Sequence, residues 1–291
     1  MVRLAVATRA ETFERMAEPL ARRGIEVRHV RTRERSIPLG DPPWNPGTFD
    51  AGFVYPPRLM EGGVADALLS IPWVNDREAV HTSRNKAEVI ARLGRVGLPV
   101  PETVLVSNPV EEAELVEVFE QFEPPVVVKP NSTTRGVGVA RVDDVDSFLG
   151  VVDYLDLVHD FRATGDRSFL VQEYLPDVTD YRAMVIDGTY AGAVERRLPE
   201  AATAAGQWKH NVHRGAEATG VSLNPEVRDL VETVTAELEI PFLGVDLLVS
   251  EDRTVVSETN ARPTIDAATK YEPEFYDRLA ALIETTAAKR R

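Results

Sequence analysis

Two carboxylates and an amide lie close together near the C-terminus in a pattern that suits metal binding. Asp246 lies in one apolar segment, and Glu258 and Asn260 lie in a second, beyond a polar turn at 251–253. Both segments are rich in β-branched residues and predict a hairpin. If its turn centres on Asp252, Asp246 lies opposite Glu258, and Asn260 lies on the same face. Opposed carboxylates destabilise a hairpin unless a cation lies between them, and two carboxylates with an amide oxygen suit Mg²⁺. The alternative is a pair of solvated acids on a surface hairpin.

A lysine and a glycine-containing loop form a second candidate site. The apolar strand 126–129 ends on Lys129, and the loop that follows contains Gly136 and Gly138. A buried strand should not end on an ammonium group that lacks a partner. The backbone N–H groups of such a loop can bind a phosphate chain. The spacing is neither that of a P-loop nor that of a Rossmann fingerprint, and an ordinary hairpin also fits.

Two further strands end on polar side chains. At the end of the segment 169–175, the backbone near Glu173 and Tyr174 could pair with an adenine edge, although an ordinary strand end fits equally well. Arg196 and Arg197 are adjacent on another predicted strand. Because side chains alternate along a strand, only one of these two arginines can face a cleft.

Composition narrows the class of protein. The chain has 291 residues, of which 43% are hydrophobic, and this suffices for two or three lobes. Its formal net charge of -14 argues against nucleic acid or an anionic membrane as a partner. It has no cysteine, which excludes disulfides and thiolate sites. No apolar run reaches membrane-spanning length, and the N-terminus has no signal-peptide pattern, so we expect a cytoplasmic protein.

The order of predicted elements indicates two kinds of lobe. Near the N-terminus, strands at 2–7, 25–30 and 49–55 alternate with a helix at 11–23. This alternation predicts a small parallel α/β lobe. The rest of the chain has many strands with fewer helices and predicts α+β structure. The predicted lobes cover residues 1–78, 79–167 and 168–291.

Eight short segments, taken in order, resemble the motifs of the ATP-grasp superfamily, and within it those of RimK-type α-L-glutamate ligases. They lie at 84–86, 128–138, 171–174, 180–182, 195–197, 211–215, 244–246 and 258–261. The N-terminal lobe is similar in general pattern only. The resemblance implies an ATP-grasp fold, in which a Rossmann-like parallel lobe precedes two α+β lobes that hold ATP between them.

The resemblance also implies roles for individual residues. The implied ATP-binding residues are Lys86, Lys129, Gly136, Gly138, Glu173, Tyr174, Asp180, Lys209, His210 and Asn211. The implied ligands of Mg²⁺ or Mn²⁺ are Asp246, Glu258 and Asn260. The implied catalytic residues, which offset negative charge during phosphate transfer, are Arg196, Lys209 and Arg262.

Arg262 differs from the RimK-type pattern, which has serine at this position. It lies two residues beyond Asn260, on the same face if the strand continues. Its guanidinium could hold a substrate carboxylate or an acyl phosphate through two hydrogen bonds. A surface ion pair with Asp266 is the alternative.

The activity that the resemblance implies is amide formation driven by ATP. A substrate carboxylate is phosphorylated and an amine attacks the acyl phosphate, with glutamate as the expected amine. The expected partners are small-molecule carboxylates and amines, and a homo-oligomer is compatible with the sequence. Two alternatives stay open at this point, namely a small-molecule kinase of the same superfamily and a nucleotide-binding module without catalysis.

Overall fold

The computed structural model describes residues 1–9, 11–45, 47–133, 136–159, 166–209 and 215–289. The helices are α1 (Glu11–Ala21), α2 (Leu59–Leu69), α3 (Arg77–Arg84), α4 (Lys86–Arg95), α5 (Glu112–Glu120), α6 (Val145–His159), α7 (Glu200–Ala204), α8 (Pro225–Leu238) and α9 (Phe275–Ala288). The strands are β1 (Val2–Val6), β2 (Ile25–His29), β3 (Ala51–Phe53), β4 (Thr103–Ser107), β5 (Val126–Pro130), β6 (Ala140–Val142), β7 (Ser168–Glu173), β8 (Thr179–Ile186), β9 (Thr189–Arg197), β10 (Glu217–Val221), β11 (Phe242–Val249) and β12 (Thr254–Asn260).

The N-terminal strands form a parallel sheet in the order β2-β1-β3. Leu4 and Val6 of β1 are fully buried and share a core with Met16 and Leu20 of α1. Those two α1 residues are four apart, so they lie on the same face of the helix. The predicted parallel α/β arrangement is therefore confirmed.

The central sheet is antiparallel, with the order β4-β7-β5-β6. Val126 and Val128 of β5 lie in one core with Phe119 of α5 and Phe148 of α6. Since side chains alternate along β5, Lys129 lies on the opposite face of the sheet, away from these helices.

The pairing of β7 bears on the predicted boundary between the second and third lobes. The predicted boundary at 167/168 put this strand into the C-terminal lobe, but β7 pairs with both β4 and β5 of the central sheet. The other predicted boundary, at 78/79, lies inside α3. The number of lobes stays a prediction, and the sheets place any second boundary after Glu173.

The third sheet is antiparallel, in the order β10-β9-β8-β11-β12. One face packs against α4 and α8, with Val245 in the same core as Val89 and Val231. At one end of the other face, Phe242 packs against Phe53 of the N-terminal sheet. The remaining part of that face carries charged side chains. Within the ranges described, no helix is long and apolar enough to cross a membrane.

Candidate active site

The hairpin predicted from the sequence is formed by β11 and β12. Asp246 pairs with Glu258, and Gly244 pairs with Asn260. A β-bulge follows Asp246, because Leu247 then pairs with Val256. With this bulge on the turn side of the pair, the two carboxylates lie on directly opposed residues of neighbouring strands, which is the expected pairing.

Two arginines surround the buried Asp246. Arg182 lies opposite it on β8, and its Nε and Nη2 donate to Oδ1 and Oδ2 of Asp246, each at 2.7 Å. The Nη2 of Arg196 lies 3.1 Å from Oδ2 of Asp246. Burial raises the pKa of Asp246, but Arg182 and Arg196 outweigh it and hold that pKa below its ordinary value. Both carboxylate oxygens are thus engaged by guanidinium groups.

Arg196 also binds a second carboxylate. Its Nε donates to Oδ1 of Asp180 at 2.8 Å, and the two residues are register partners on β9 and β8. Burial raises the pKa of Asp180 to about 7, although Arg196 opposes the shift. The neighbouring Arg197 is 78% exposed and pairs with Glu195. As strand alternation requires, Arg196 alone of the two arginines faces the charged cluster.

Two buried lysines, Lys86 and Lys129, lie near the carboxylate of Glu258, and Lys86 forms an ion pair with it. Asn85 caps α4 by accepting a bond from the N–H of Glu88, and this places Lys86 in the first turn. The Nζ of Lys86 lies 3.6 Å from Glu258 Oε1. The Nζ of Lys129 donates to Gln172 Oε1 at 2.9 Å. Burial lowers the pKa of Lys129 to about 8, with Glu258 opposing and Lys86 adding to the shift.

The loop after β5 connects to the same lysines. The Nζ of Lys86 donates to the backbone oxygens of Asn131, at 3.3 Å, and Thr133. Gly136 and Gly138 both have positive φ. A Cβ on Gly138 would lie 2.8 Å from Pro130 Cγ, so this position requires glycine. Residues 134 and 135 lie outside the described ranges, and the proposed covering of phosphates by this loop stays a prediction.

The two residues expected near adenine have different surroundings. Glu173 accepts hydrogen bonds from Arg253, at 2.7 and 2.8 Å, and from the N–H of Glu102 at 2.7 Å. Its carboxylate therefore links β7 to the turn of the β11–β12 hairpin, and adenine recognition here would rest on the backbone.

Tyr174 belongs to an aromatic and cationic group. Its ring packs edge to face against Trp208, with the ring centroids 6.0 Å apart, and the Arg141 guanidinium lies 5.5 Å from the Tyr174 ring centroid. Lys209 donates to the backbone oxygen of Val139. The structure thus brings Tyr174 and Lys209 near the loop after β5. His210 and Asn211, also expected at the nucleotide, lie outside the described residues.

Arg262 connects the hairpin to the N-terminal lobe. Its backbone N–H donates to Asn260 Oδ1 at 2.8 Å, and its Nε donates to the backbone oxygen of Tyr55, just beyond β3. Asp266, the alternative partner expected from the sequence, pairs with Lys270 at 2.8 Å and with Arg15 at 3.3 Å. The guanidinium therefore lies where the carboxyl end of the parallel sheet approaches the proposed metal ligands.

The donor set of the hairpin fits a hard divalent cation in its chemistry. Asp246, Glu258 and Asn260 offer oxygen atoms, and the register places the two acidic residues opposite each other. Across the described part of the chain, no three His, Cys, Asp or Glu side chains converge on a metal site. A metal here would thus depend on the amide of Asn260 and on exogenous oxygens such as those of phosphates.

Sequence reasoning missed two side chains in this region. Arg182 was part of a recognised motif but was given no role, although its spacing of two from Asp180 puts both on one strand face. Gln172 had no sequence signal for its bond to Lys129, because that contact joins residues 43 positions apart.

Comparison with known proteins decides the family. The profile of the RimK-like ATP-grasp domain matches residues 83–276. This chain belongs to the RimK-like ATP-grasp family.

Two curated relatives of this family are ligases by name. One is a ribosomal protein bS6–L-glutamate ligase of Shigella boydii, and the other a probable α-L-glutamate ligase of Citrobacter koseri. Each is 28% identical over 199 residues, which are 68% of this chain and 62% of the relative. The chain thus spans less than two thirds of the length of these relatives.

Solved structures of ATP-grasp proteins share the fold over nearly the whole chain. A RimK-domain ATP-grasp protein from Sphaerobacter thermophilus superposes with a TM-score of 0.66 at 20% identity, covering 98% of both chains. A D-alanine–D-alanine ligase from Bacillus anthracis, complexed with ATP, gives 0.70 at 17% identity over 99% of this chain and 98% of its own. The D-cycloserine synthetase DcsG gives 0.73 at 18% identity, over 99% and 100%. The ATP-grasp fold expected from the sequence motifs is confirmed, including the parallel N-terminal sheet that the family profile omits.

Proposed function

We propose that this protein is an ATP- and Mg²⁺-dependent carboxylate–amine ligase. One observation carries the proposal: two lysines, 5% and 7% exposed, lie within the electrostatic influence of Glu258 on the β11–β12 hairpin, and Lys86 is 3.6 Å from its carboxylate. Burial of charged ammonium groups is unfavourable without compensation. Anionic phosphates would provide that compensation and would give both lysines a function. Membership of the ATP-grasp family supports the same assignment.

The nucleotide would bind between the two antiparallel sheets. Lys86 and Lys129 would contact its phosphates, and the loop containing Gly136 and Gly138 would cover them. Tyr174 and Trp208 offer aromatic surface to the adenine, and Lys209 lies beside them. Asp246, Glu258 and Asn260 would hold Mg²⁺, which supplies charge neutralisation at the phosphates when it is bound.

The reaction would consist of two transfers. An oxygen of the acid substrate attacks the γ-phosphorus of ATP, and the bond to ADP breaks. The amine then attacks the acyl carbon, phosphate leaves with the bonding electrons, and the amine loses a proton as the amide forms. Arg196 and Arg262 would offset the negative charge that moves between these groups, a contribution that is largest where water is excluded.

We further propose glutamate as the amine substrate, because the named relatives are L-glutamate ligases. The acid substrate would bind near Arg262, between the hairpin and the end of β3. A guanidinium there can bind a carboxylate through two parallel hydrogen bonds. The bS6 ligases are named for a ribosomal protein as well as for L-glutamate. The search for the acid substrate should therefore include peptides with a free carboxylate as well as small acids.

The test is a screen for ADP release with combinations of acids and amines, followed by mass spectrometry of the products. A ligase requires both substrates and yields an amide together with ADP and phosphate. ADP formation with a phosphorylated acid or alcohol as the stable product would identify a kinase instead. ATP binding without turnover in any combination would indicate a binding module. Arg197→Ala is the matched control, because this arginine is exposed and faces away from the charged cluster.

A further inference from the structure

The charged face of the C-terminal sheet already provides a cation for Asp246. Arg182 binds both carboxylate oxygens at 2.7 Å, and Arg196 adds a contact of 3.1 Å to Oδ2. Bidentate guanidinium–carboxylate pairs are among the stronger polar interactions in proteins. A metal ion that binds Asp246 through Oδ1 therefore competes with Arg182 for the negative charge of that atom.

The two arginines differ in how firmly they are held. The Arg196 side chain is 9% exposed and binds Asp180 as well as Asp246. The Arg182 side chain is 21% exposed, and its ion pair is with Asp246. Removing Arg196 from Asp246 would disturb a second buried carboxylate, whereas Arg182 can move without that cost. Arg182 is therefore the arginine that can exchange.

The local charge balance indicates what can displace it. Among the residues that the structure describes here, cationic groups outnumber carboxylates. The cations are Lys86, Lys129, Arg182 and Arg196, and the carboxylates are Asp180, Asp246 and Glu258. A bare dication gains little from entering a region with net positive charge. A metal–nucleotide complex is anionic and brings phosphate oxygens to which a released guanidinium can bind.

We propose that Arg182 is an exchangeable counter-ion of Asp246 that makes metal binding depend on the nucleotide. Without nucleotide, Arg182 occupies both oxygens of Asp246 and keeps the metal site closed. When a metal–nucleotide complex binds, the guanidinium moves to the phosphates and the metal takes its place on Asp246. This inference rests on the proposed function, in that Asp246 is taken as a metal ligand.

The experiment measures Mn²⁺ binding by electron paramagnetic resonance, with and without ADP, on the whole chain. The wild type should bind Mn²⁺ weakly alone and more tightly with ADP. Arg182→Gln should bind Mn²⁺ without nucleotide at least about tenfold more tightly than the wild type, because the charge-assisted bonds that compete for Asp246 are gone. Arg182→Lys should fall between the two, because lysine keeps the charge but lacks the bidentate geometry.

The controls locate the effect at Asp246. Arg197→Gln removes an exposed arginine from the opposite face of β9 and should leave Mn²⁺ affinity unchanged. Adding Asp246→Asn to Arg182→Gln should abolish the gain. Circular dichroism and thermal melting establish whether each variant is folded. If Arg182→Gln does not fold, the Mn²⁺ affinity of Arg182→Lys is compared with that of the wild type instead.

Two results would overturn the inference: Mn²⁺ affinity of Arg182→Gln equal to or weaker than wild type, or a gain that survives the loss of Asp246. The failure of the proposed function would appear separately, as the absence of ADP release that depends on acid and amine. The binding assay does not require turnover, so the two failures are distinguishable.

Discussion

Burial of the Lys129 ammonium should give this residue a measurable titration near neutral pH. The side chain is 7% exposed, and burial lowers its pKa from 10.5 to about 8. Because one pKa unit corresponds to ~1.36 kcal/mol, this lowering of the pKa corresponds to about 3 kcal/mol. The folded protein therefore bears a cost of about that size for keeping Lys129 charged at pH 7.

The sign of the pH dependence follows from the two pKa values. Between pH 8 and 10.5 the unfolded chain keeps the Lys129 proton while the folded protein has lost it. The unfolded state thus binds more protons, and the free energy of unfolding rises with pH across this interval. Lys129→Met removes this dependence. The difference in unfolding free energy, wild type minus variant, should increase by about 3 kcal/mol over the interval.

Carbon-13 NMR of labelled lysine provides the direct assay. The chain has only five lysines, at 86, 129, 209, 270 and 289, so Lys129→Met assigns one resonance by its disappearance. Lys289→Met is the control, because that side chain is exposed at the end of α9. A midpoint near pH 8 for Lys129 supports the reasoning. A midpoint at or above 10.5, together with a flat difference in unfolding free energy, would refute it.

Three other substitutions test separate parts of the site. Glu258→Gln removes the charge of one proposed metal ligand while keeping its shape, so ATP turnover should fall by at least about 100-fold while the fold persists. Unchanged turnover at limiting Mg²⁺ would contradict the ligand role. The Arg253–Glu173 ion pair joins β7 to the hairpin turn at a partly exposed position. Arg253→Ala should therefore raise the KM for ATP more than it lowers kcat. A double-mutant cycle with Glu173→Gln should give a coupling free energy of about 1 kcal/mol in protein stability. Arg262→Lys should leave ATP affinity near wild type but lower acid-dependent turnover by about tenfold, because lysine cannot bind a carboxylate through two parallel hydrogen bonds. Equal losses of ATP affinity and of acid-dependent turnover would contradict a role in acid binding.

The parts of the site that follow from local periodicity were predictable. Centring the turn on Asp252 predicted the pairing of Asp246 with Glu258, and the structure has that pair. The same alternation indicated that only one of Arg196 and Arg197 faces the site. Next to the turn the strands pair one residue off the register centred on Asp252, with Leu247 opposite Val256. The bulge between that pair and Asp246, which was not predicted, brings Glu258 opposite Asp246.

Contacts between distant segments were not predictable from the sequence. Arg182 meets Asp246 because β8 lies beside β11, and the two residues are 64 positions apart. Glu173 was expected at the nucleotide, and nothing in the sequence indicated that Arg253, 80 positions away, engages its carboxylate. The sheet order decides both contacts, and alternation within one strand carries no information about its neighbours.

One helix had a signal that was not used. Asn224 caps α8 by accepting from the N–H of Val227, and Pro225 occupies the start of the helix. This combination of cap and proline is typical of helix N-termini. Recognising it would have predicted that a helix begins at Pro225, although not the sheet against which that helix packs.

Oxygen-18 transfer tests the proposed chemistry most directly. The acid substrate identified by the screen is labelled in its carboxylate, and the phosphate released during turnover with ATP and the amine is examined by phosphorus-31 NMR or mass spectrometry. Activation through an acyl phosphate predicts that one labelled oxygen passes from the carboxylate to each phosphate released. Phosphate without label, formed at the same rate as the amide, would contradict carboxylate activation by ATP.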